Sequence, residues 1–239
     1  MFLINNHRCL LSEKIRCGFT LAEVLITLGI IGIVAAMTIP NLMVKHSQQE
    51  TVTKLQRAIS IFNQAYKMSF DELGDVSPEE AFKLGANEYI NKYWAPYIKI
   101  NSICRNYEQC GYDSLNPMVT PNGTPTGSNI IVDRARVGIT TMDGFTYVIF
   151  TAFYDVENNT FNVPADVVYV DLNGGAKPNR WGRDVFALVR VEDKGVFPRG
   201  YDKSNAEVNN NCSMHGNGDY CAEKIRRAGW RIEKDYPWK

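Results

Sequence analysis

The sequence predicts an α+β fold, in which one long N-terminal helix packs on an antiparallel sheet. A helical pattern fills residues 19–74, and strand patterns joined by tight turns dominate from residue 136 onward. Helices followed by a run of strands, rather than alternating with them, indicate the α+β class. Apolar residues make up 45% of the 239 residues, which is enough for a substantial hydrophobic core.

The charges are balanced, with 26 Lys plus Arg residues against 26 Asp plus Glu residues. A chain without an excess of basic residues offers no general surface for phosphate backbones. Nucleic acid is therefore not an expected partner.

The first element is an apolar stretch, residues 19–39, whose single ionisable side chain is that of Glu23. At about 1.5 Å per residue, a helix of this length spans roughly 30 Å, the thickness of the hydrocarbon core of a bilayer. Arg8, Lys14 and Arg16 precede the stretch, and positive residues remain on the cytoplasmic side. We therefore expect one crossing of the inner membrane, with the rest of the chain in the periplasm or outside the cell.

Two other kinds of N-terminal segment fit poorly. A secretory signal is cleaved after its apolar region at small residues, but here that region ends in Ala35-Ala36-Met37. A lipoprotein is disfavoured because Cys17 precedes the apolar stretch. The stretch is therefore interpreted as a membrane anchor, in which the costly carboxylate of Glu23 is a functional candidate.

The segment 18–25, GFTLAEVL, resembles the prepilin processing motif of type IV pilins and of the pseudopilins of type II secretion systems. The resemblance extends over about residues 14–66. It implies that a prepilin peptidase cuts after Gly18 and that the new N-terminal residue, Phe19, is N-methylated. It also implies a pilin-like fold, with other pilin-like subunits, an inner-membrane assembly platform and the lipid bilayer as partners.

The residues of this segment suit such a role. Gly18 offers a flexible backbone to a peptidase, and the amine exposed at Phe19 can pair with Glu23 of a neighbouring subunit. Gly32 and Ala36 lie on one helix face and would let helices approach closely, although small residues are common in membrane helices. Pro40 ends the apolar stretch. It marks either a point where the helix can melt during assembly or only the boundary of the membrane segment.

Beyond Pro40 the helix is expected to continue as an amphipathic segment, because apolar residues recur at spacings of three and four: Val52, Leu55, Ile59, Phe62 and Tyr66. The stripe is too short for a dimeric coiled coil. The predicted organisation is a leader at 1–18, a membrane helix at 19–39, an amphipathic helix at 40–74 and a globular domain at 75–239.

Within the globular domain, Ser77-Pro78-Glu79-Glu80 predicts the start of a second helix that ends near Trp94. Residues 117–128 are rich in Pro, Gly, Thr and Asn and predict an exposed loop. Asp143-Gly144 predicts a hairpin. The expected strands are 136–142, 145–153, 166–172, 184–191 and 196–197, and a short helix at 222–230 is expected to stop at Gly229.

Four cysteines follow the apolar stretch. Their short spacings make Cys104 with Cys110 and Cys212 with Cys221 the favoured disulfides in an exported domain. Zinc is the alternative, but neither gap has the usual length of a zinc site.

The segment 171–184, DLNGGAKPNRWGRD, is a candidate calcium site. Asp171, Asn173 and Asp184 provide oxygen ligands around glycine-rich turns. Major pseudopilins carry calcium in a C-terminal loop, so the resemblance favours this hypothesis. The alternative is a loop held by Asx turns without a metal, and we expect that alternative more than the metal.

Catalytic groups are not evident. His7, His46 and His215 are scattered along the chain, and no glycine loop of the phosphate-binding kind is present. The resemblance to the prepilin family implies a structural filament subunit, and the calcium-like loop of residues 171–184 favours a pseudopilin of a type II secretion system. The alternatives are a pilin of a type IV pilus, in adhesion, motility or DNA uptake, and a membrane-tethered binding module.

Overall fold

The computed structural model describes residues 20–104, 106–126, 135–151, 153–155, 160–162 and 167–238. The predicted leader, with Gly18, and Phe19 lie outside these residues. The chain divides into two compact units, Met1–His46 and Ser47–Lys239, which are described separately below.

A single helix, α1, runs from Leu21 to Leu73, with Pro40 inside it. In the second unit its apolar stripe is buried as predicted, with Leu55 and Phe62 completely inaccessible to solvent. The helix ends at Gly74, whose backbone adopts φ 78° and donates its N–H to Phe70 O at 2.9 Å. The amphipathic second half of the predicted helix is thus confirmed.

The predicted second helix is wrong in one respect, because it consists of two helices. Helix α2 covers Pro78–Leu84 and begins at Ser77, whose hydroxyl accepts the N–H of Glu80. Helix α3 covers Ala86–Tyr93. Between them Gly85 adopts φ 83° and ψ 151°, a conformation that only glycine reaches at low cost. The apolar pattern continues through Gly85, so periodicity alone did not reveal the break.

The strands, in chain order, are β1 Ile100–Cys104, β2 Arg136–Thr141, β3 Thr146–Phe150, β4 Phe153–Asp155, β5 Thr160–Asn162, β6 Val167–Asp171, β7 Val185–Val191 and β8 Gly195–Pro198. Six of them form an antiparallel sheet in the order β1-β2-β3-β6-β7-β8, and β4 pairs with β5 separately. A 3-10 turn covers Glu108–Cys110, and the last helices are α4 Asn205–Asn211 and α5 Cys221–Arg227.

The centre of the sheet is covered on both faces. Along β3, Tyr147 and Ile149 face a cluster that includes α1 and α3, whereas Val148 and Phe150 face a second cluster around Trp181. The Phe62 ring of α1 lies 4.5 Å from the Tyr147 ring, measured between centroids. Packing of α1 on an antiparallel sheet confirms the predicted α+β fold.

Two disulfides are present among the described residues. Cys104 at the end of β1 is bonded to Cys110, and Cys212 after α4 is bonded to Cys221 at the start of α5. These are the pairings that the short spacings favoured. The bonds tie β1 to the 3-10 turn and α4 to α5.

Candidate assembly helix and a buried polar cluster

The first half of α1 is long and apolar enough to cross a membrane. Its large side chains are exposed, including Leu25, Ile26 and Ile31, which are between 60 and 63% accessible. Such a surface is unfavourable in water, because apolar area in contact with solvent is costly. This half of α1 therefore needs lipid or other protein around it.

Glu23 and Thr20 cap the N-terminal end of α1. The N–H and the hydroxyl of Thr20 both donate to Glu23 Oε2, each at 2.8 Å, and Thr20 Oγ1 accepts the N–H of Glu23 at 3.3 Å. This is a capping box, which pairs donors that a helix start otherwise leaves free. The T-x-x-E spacing of Thr20 and Glu23 is the sequence signal of this cap.

Two small residues of the apolar half face open space. A Cβ atom added at Gly29 or Gly32 would have no atom within 4 Å. This face leaves room for a second helix, and the close approach expected at Gly32 and Ala36 stays a prediction. The expected melting of the helix at Pro40 stays a prediction.

The three candidate calcium ligands do lie together in the second unit. Asp171 is the last residue of β6 and Asp184 directly precedes β7. Asn173 bridges them, because its N–H donates to Asp171 Oδ1 at 3.1 Å and its Nδ2 donates to Asp184 Oδ2 at 3.3 Å. Asp171 is 1% accessible and Asp184 is 6% accessible.

The remaining carboxylate oxygens also accept hydrogen bonds. Tyr112 donates its hydroxyl to Asp171 Oδ2 at 2.9 Å, and the backbone N–H groups of Asn179 and Arg180 donate to Asp184. With its amide oriented to donate, Asn179 lies 3.3 Å from Asp171 Oδ2. We call these five residues and Asn173, namely Tyr112, Asp171, Asn173, Asn179, Arg180 and Asp184, the polar cluster.

Burial dominates the electrostatics of the polar cluster. It raises the pKa of Asp171 well above its usual range, and the charge of Asp184 raises this pKa further. Burial also raises the pKa of Asp184, although the N–H groups of Arg180 and Asn179 oppose this. Protons thus bind both carboxyl groups more tightly in the folded chain.

Calcium does not fit this arrangement well. The ion takes about six to eight oxygen ligands, but all four carboxylate oxygens of Asp171 and Asp184 already accept N–H or O–H donors. One buried oxygen, Asn173 Oδ1, has no hydrogen-bond partner among the described residues. Nowhere in the described part of the chain do three His, Cys, Asp or Glu side chains form a metal-binding group. Hydrogen bonds within the loop are what the Asx-turn alternative predicts, and calcium binding by Asp171, Asn173 and Asp184 stays a prediction.

A capped apolar helix whose continuation packs on an antiparallel sheet is the arrangement expected from the resemblance of the sequence to pilin-like proteins. In agreement, residues 14–39 match the family model of the prokaryotic N-terminal methylation motif, which is typical of such proteins. The match covers the motif and not the globular domain. Comparisons with curated proteins and with solved structures returned no match.

Proposed function

We propose that this chain is a structural filament subunit, a pseudopilin of a type II protein secretion system, and not an enzyme. The observation that carries the proposal is the capped apolar helix, which begins at Leu21 within the methylation motif of residues 14–39. Membrane helices gain little from apolar contact with one another, so specific polar pairs and close packing must direct their assembly.

In this proposal the prepilin peptidase cuts after Gly18, and the amine of Phe19 is methylated. The amine then lies one residue before Thr20, close to the capped end of α1. Glu23 of a neighbouring subunit pairs with it in the low-dielectric environment of lipid, where such a pair is strong. Both bonds from Thr20 use Oε2, so Oε1 of Glu23 can still accept a hydrogen bond from the amine.

The proposed orientation places the leader in the cytoplasm and the second unit outside it. The basic leader residues Arg8, Lys14 and Arg16 support this orientation. The disulfides Cys104–Cys110 and Cys212–Cys221 support it as well, since disulfides persist in oxidising compartments. The assembly platform in the inner membrane is the expected partner on the cytoplasmic side.

The proposal is tested by sequencing the N-terminus of the protein purified from membranes. N-methyl-phenylalanine from Phe19 is the expected first residue. Glu23→Val should be processed normally but should be absent from sheared filaments. The control Thr38→Val, which also removes a polar group from α1, should assemble. Full incorporation of Glu23→Val, together with an active unprocessed Gly18 variant, would leave a membrane-tethered binding module as the better explanation.

A pilin of a type IV pilus is the second candidate, because the methylation motif is typical of both kinds of filament. The loop of Asp171 and Asp184 does not separate the two candidates, because hydrogen bonds occupy the carboxylates that would bind calcium in a pseudopilin. Deletion of the gene separates the two functions. Loss of protein secretion with intact surface pili supports the pseudopilin, and loss of pili with intact secretion supports the pilin.

A further inference from the structure

The uncharged part of α1 extends beyond Pro40. The helix continues through this residue, and the large apolar side chains of residues 42–44 are between 46 and 67% accessible. No ionisable side chain occurs between Glu23 and Lys45. At about 1.5 Å per residue, the uncharged stretch 24–44 spans roughly 30 Å, the thickness of the hydrocarbon core of a bilayer.

The polar side chains within this stretch bind to their own helix. Thr27 and Thr38 each donate the hydroxyl to a carbonyl of the preceding turn at 2.9 Å, and Asn41 donates its Nδ2 to Met37 O at 3.3 Å. Pro40 has no backbone N–H. A polar donor costs much less in hydrocarbon when it is hydrogen-bonded within the helix. The part of the helix after Pro40 is therefore as well suited to lipid as the part before it.

The apolar surface after Pro40 is not confined to one face. Consecutive residues of a helix point about 100° apart, and Leu42, Met43 and Val44 are all exposed. A single neighbouring helix covers one face only, whereas lipid covers the helix on every side. The exposure of these three consecutive side chains therefore favours lipid as the surrounding medium.

Charged and polar residues begin abruptly after Val44. Lys45 and His46 are exposed, and the polar residues 47–49 follow them. A lysine at the end of a membrane helix keeps its aliphatic stem in the apolar region and extends its ammonium group to the interface. The phosphate groups of phospholipids are anions at that depth, and they match the charge of Lys45.

The geometry points to a bilayer contact over residues 24–44, in which Lys45, with His46 as a second donor, binds phospholipid phosphate groups at the outer surface of the inner membrane. The contact places Glu23 at the cytoplasmic edge of the hydrocarbon core. It places Pro40 roughly 7 Å inside the opposite edge, so Pro40 does not mark the membrane boundary. This inference rests on the proposed membrane insertion of α1, and it adds the limits of the inserted segment and a lipid contact.

Cysteine labelling in cells tests the limits. Leu42→Cys, Met43→Cys and Gln49→Cys are introduced singly into the full chain, which is exposed from the periplasmic side to a maleimide that does not cross membranes. Cys9 and Cys17 precede α1 and are out of reach of this reagent in the proposed orientation. We expect Gln49→Cys to be labelled at least several-fold more than Leu42→Cys and Met43→Cys, because a thiol in hydrocarbon does not react.

The same labelling in the Glu23→Val chain separates lipid from neighbouring subunits. This variant should not assemble, so protection of Met43→Cys should persist if lipid covers the residue. Protection that disappears in Glu23→Val would mean that other subunits cover the stretch, which overturns the lipid contact.

Charge reversal tests the phosphate contact. Lys45→Glu should be repelled by the headgroups and should raise the labelling of Met43→Cys several-fold. Lys67→Glu, at another exposed lysine of α1, is the control and should leave the labelling unchanged. Equal labelling of Met43→Cys in the two backgrounds overturns the role of Lys45.

Two results separate this inference from the proposed function. Strong labelling of Leu42→Cys and Met43→Cys in a chain that stays in the membrane fraction overturns the limits 24–44 and leaves the proposed membrane helix in place. Release of the wild-type chain from membranes by alkaline carbonate overturns both.

Discussion

At the scale of single residues, Asp171 and Asp184 are two carboxyl groups buried close together in the second unit. Both carboxyl groups are buried, and the polar cluster gives them hydrogen bonds from one hydroxyl, one side-chain amide and backbone N–H groups. Burying a carboxylate is costly unless it is hydrogen-bonded or paired. The cluster thereby connects the ends of β6 and β7 to the loop that contains Tyr112.

The first prediction concerns the pH dependence of stability. Burial raises the pKa of Asp171 in the folded state. The protonated carboxyl group therefore contributes fully to the free energy of unfolding below the unfolded pKa of about 3.9. This contribution is lost as the pH rises through the folded pKa. Asp171→Asn cannot titrate. The variant should therefore lose less stability than the wild type between pH 4 and pH 7, as measured by thermal unfolding of the full chain in detergent.

The matched control for Asp171→Asn is Asp71→Asn, since Asp71 is exposed. This control should follow the wild-type pH dependence. Equal pH dependence in the wild type and in Asp171→Asn would contradict the raised pKa.

A second prediction concerns calcium. Because hydrogen-bond donors occupy the carboxylate oxygens of the polar cluster, millimolar calcium should leave the unfolding temperature of the full chain unchanged. Calcium titration followed by differential scanning calorimetry measures this. A rise in the unfolding temperature that disappears in Asp184→Asn would instead establish the metal site.

At the scale of elements, a buried ion pair ties the end of α1 to the sheet. Arg190 of β7 is paired with Asp75, which follows α1, and its guanidinium also donates to Val76 O at 2.6 Å. Burial raises the pKa of Asp75, but hydrogen bonds from Asp193 N and the Tyr66 hydroxyl and the charge of Arg190 hold the pKa below its usual value. The link thus depends on ionised Asp75.

Arg190→Met should destabilise the folded chain by about 3 to 5 kcal/mol, because it leaves Asp75 partly buried without its cation. Chemical denaturation followed by tryptophan fluorescence measures the loss. Arg231→Met, at an exposed arginine, should change the free energy of unfolding by less than about 0.5 kcal/mol. Similar small effects of both changes would show that the ion pair adds little.

The break between α2 and α3 leads to another prediction. A side chain at Gly85 would be strained at φ 83°, so Gly85→Ala should cost about 1 to 3 kcal/mol of stability. Asn91→Ala, on the exposed face of α3, is the control and should be nearly neutral. If Gly85→Ala were stabilising, α2 and α3 would have to form the single helix that periodicity predicts.

At the scale of the whole molecule, the two units of the chain differ in how their apolar side chains are buried. The unit Met1–His46 contains the exposed apolar half of α1, whereas Ser47–Lys239 has its own core and both disulfides. Folding of the second unit therefore does not require the membrane segment to be buried in protein. Assembly, in contrast, depends on what surrounds the first unit.

Reduction of the disulfides should lower the stability of the second unit without unfolding it at room temperature. The two disulfides join cysteines that are six and nine positions apart. Each bond is expected to add about 2 to 3 kcal/mol to the free energy of unfolding, because it restricts the unfolded chain. Denaturation midpoints of the full chain with and without reductant measure this. An unchanged midpoint would contradict a stabilising role for both bonds.

Much of the fold followed from local patterns. The stripe from Val52 to Phe62, the Asp143-Gly144 hairpin and the Ser77 cap are properties of short segments, and the structure contains all three. The strand β1 and the helix α4 were missed. β1 is short and only partly buried, while α4 is rich in asparagine and is marked mainly by its Ser204 capping box.

By itself, the sequence determined the processing motif, the apolar helix, the α+β class and the favoured cysteine pairs, because each depends on composition or on residues close together in the chain. Only the tertiary structure decided the burial and the hydrogen-bond partners of Asp171 and Asp184. Their hydrogen-bond donors include Tyr112, which is 59 residues away from Asp171 in the sequence. Burial and hydrogen bonding in the polar cluster therefore depend on how distant segments pack.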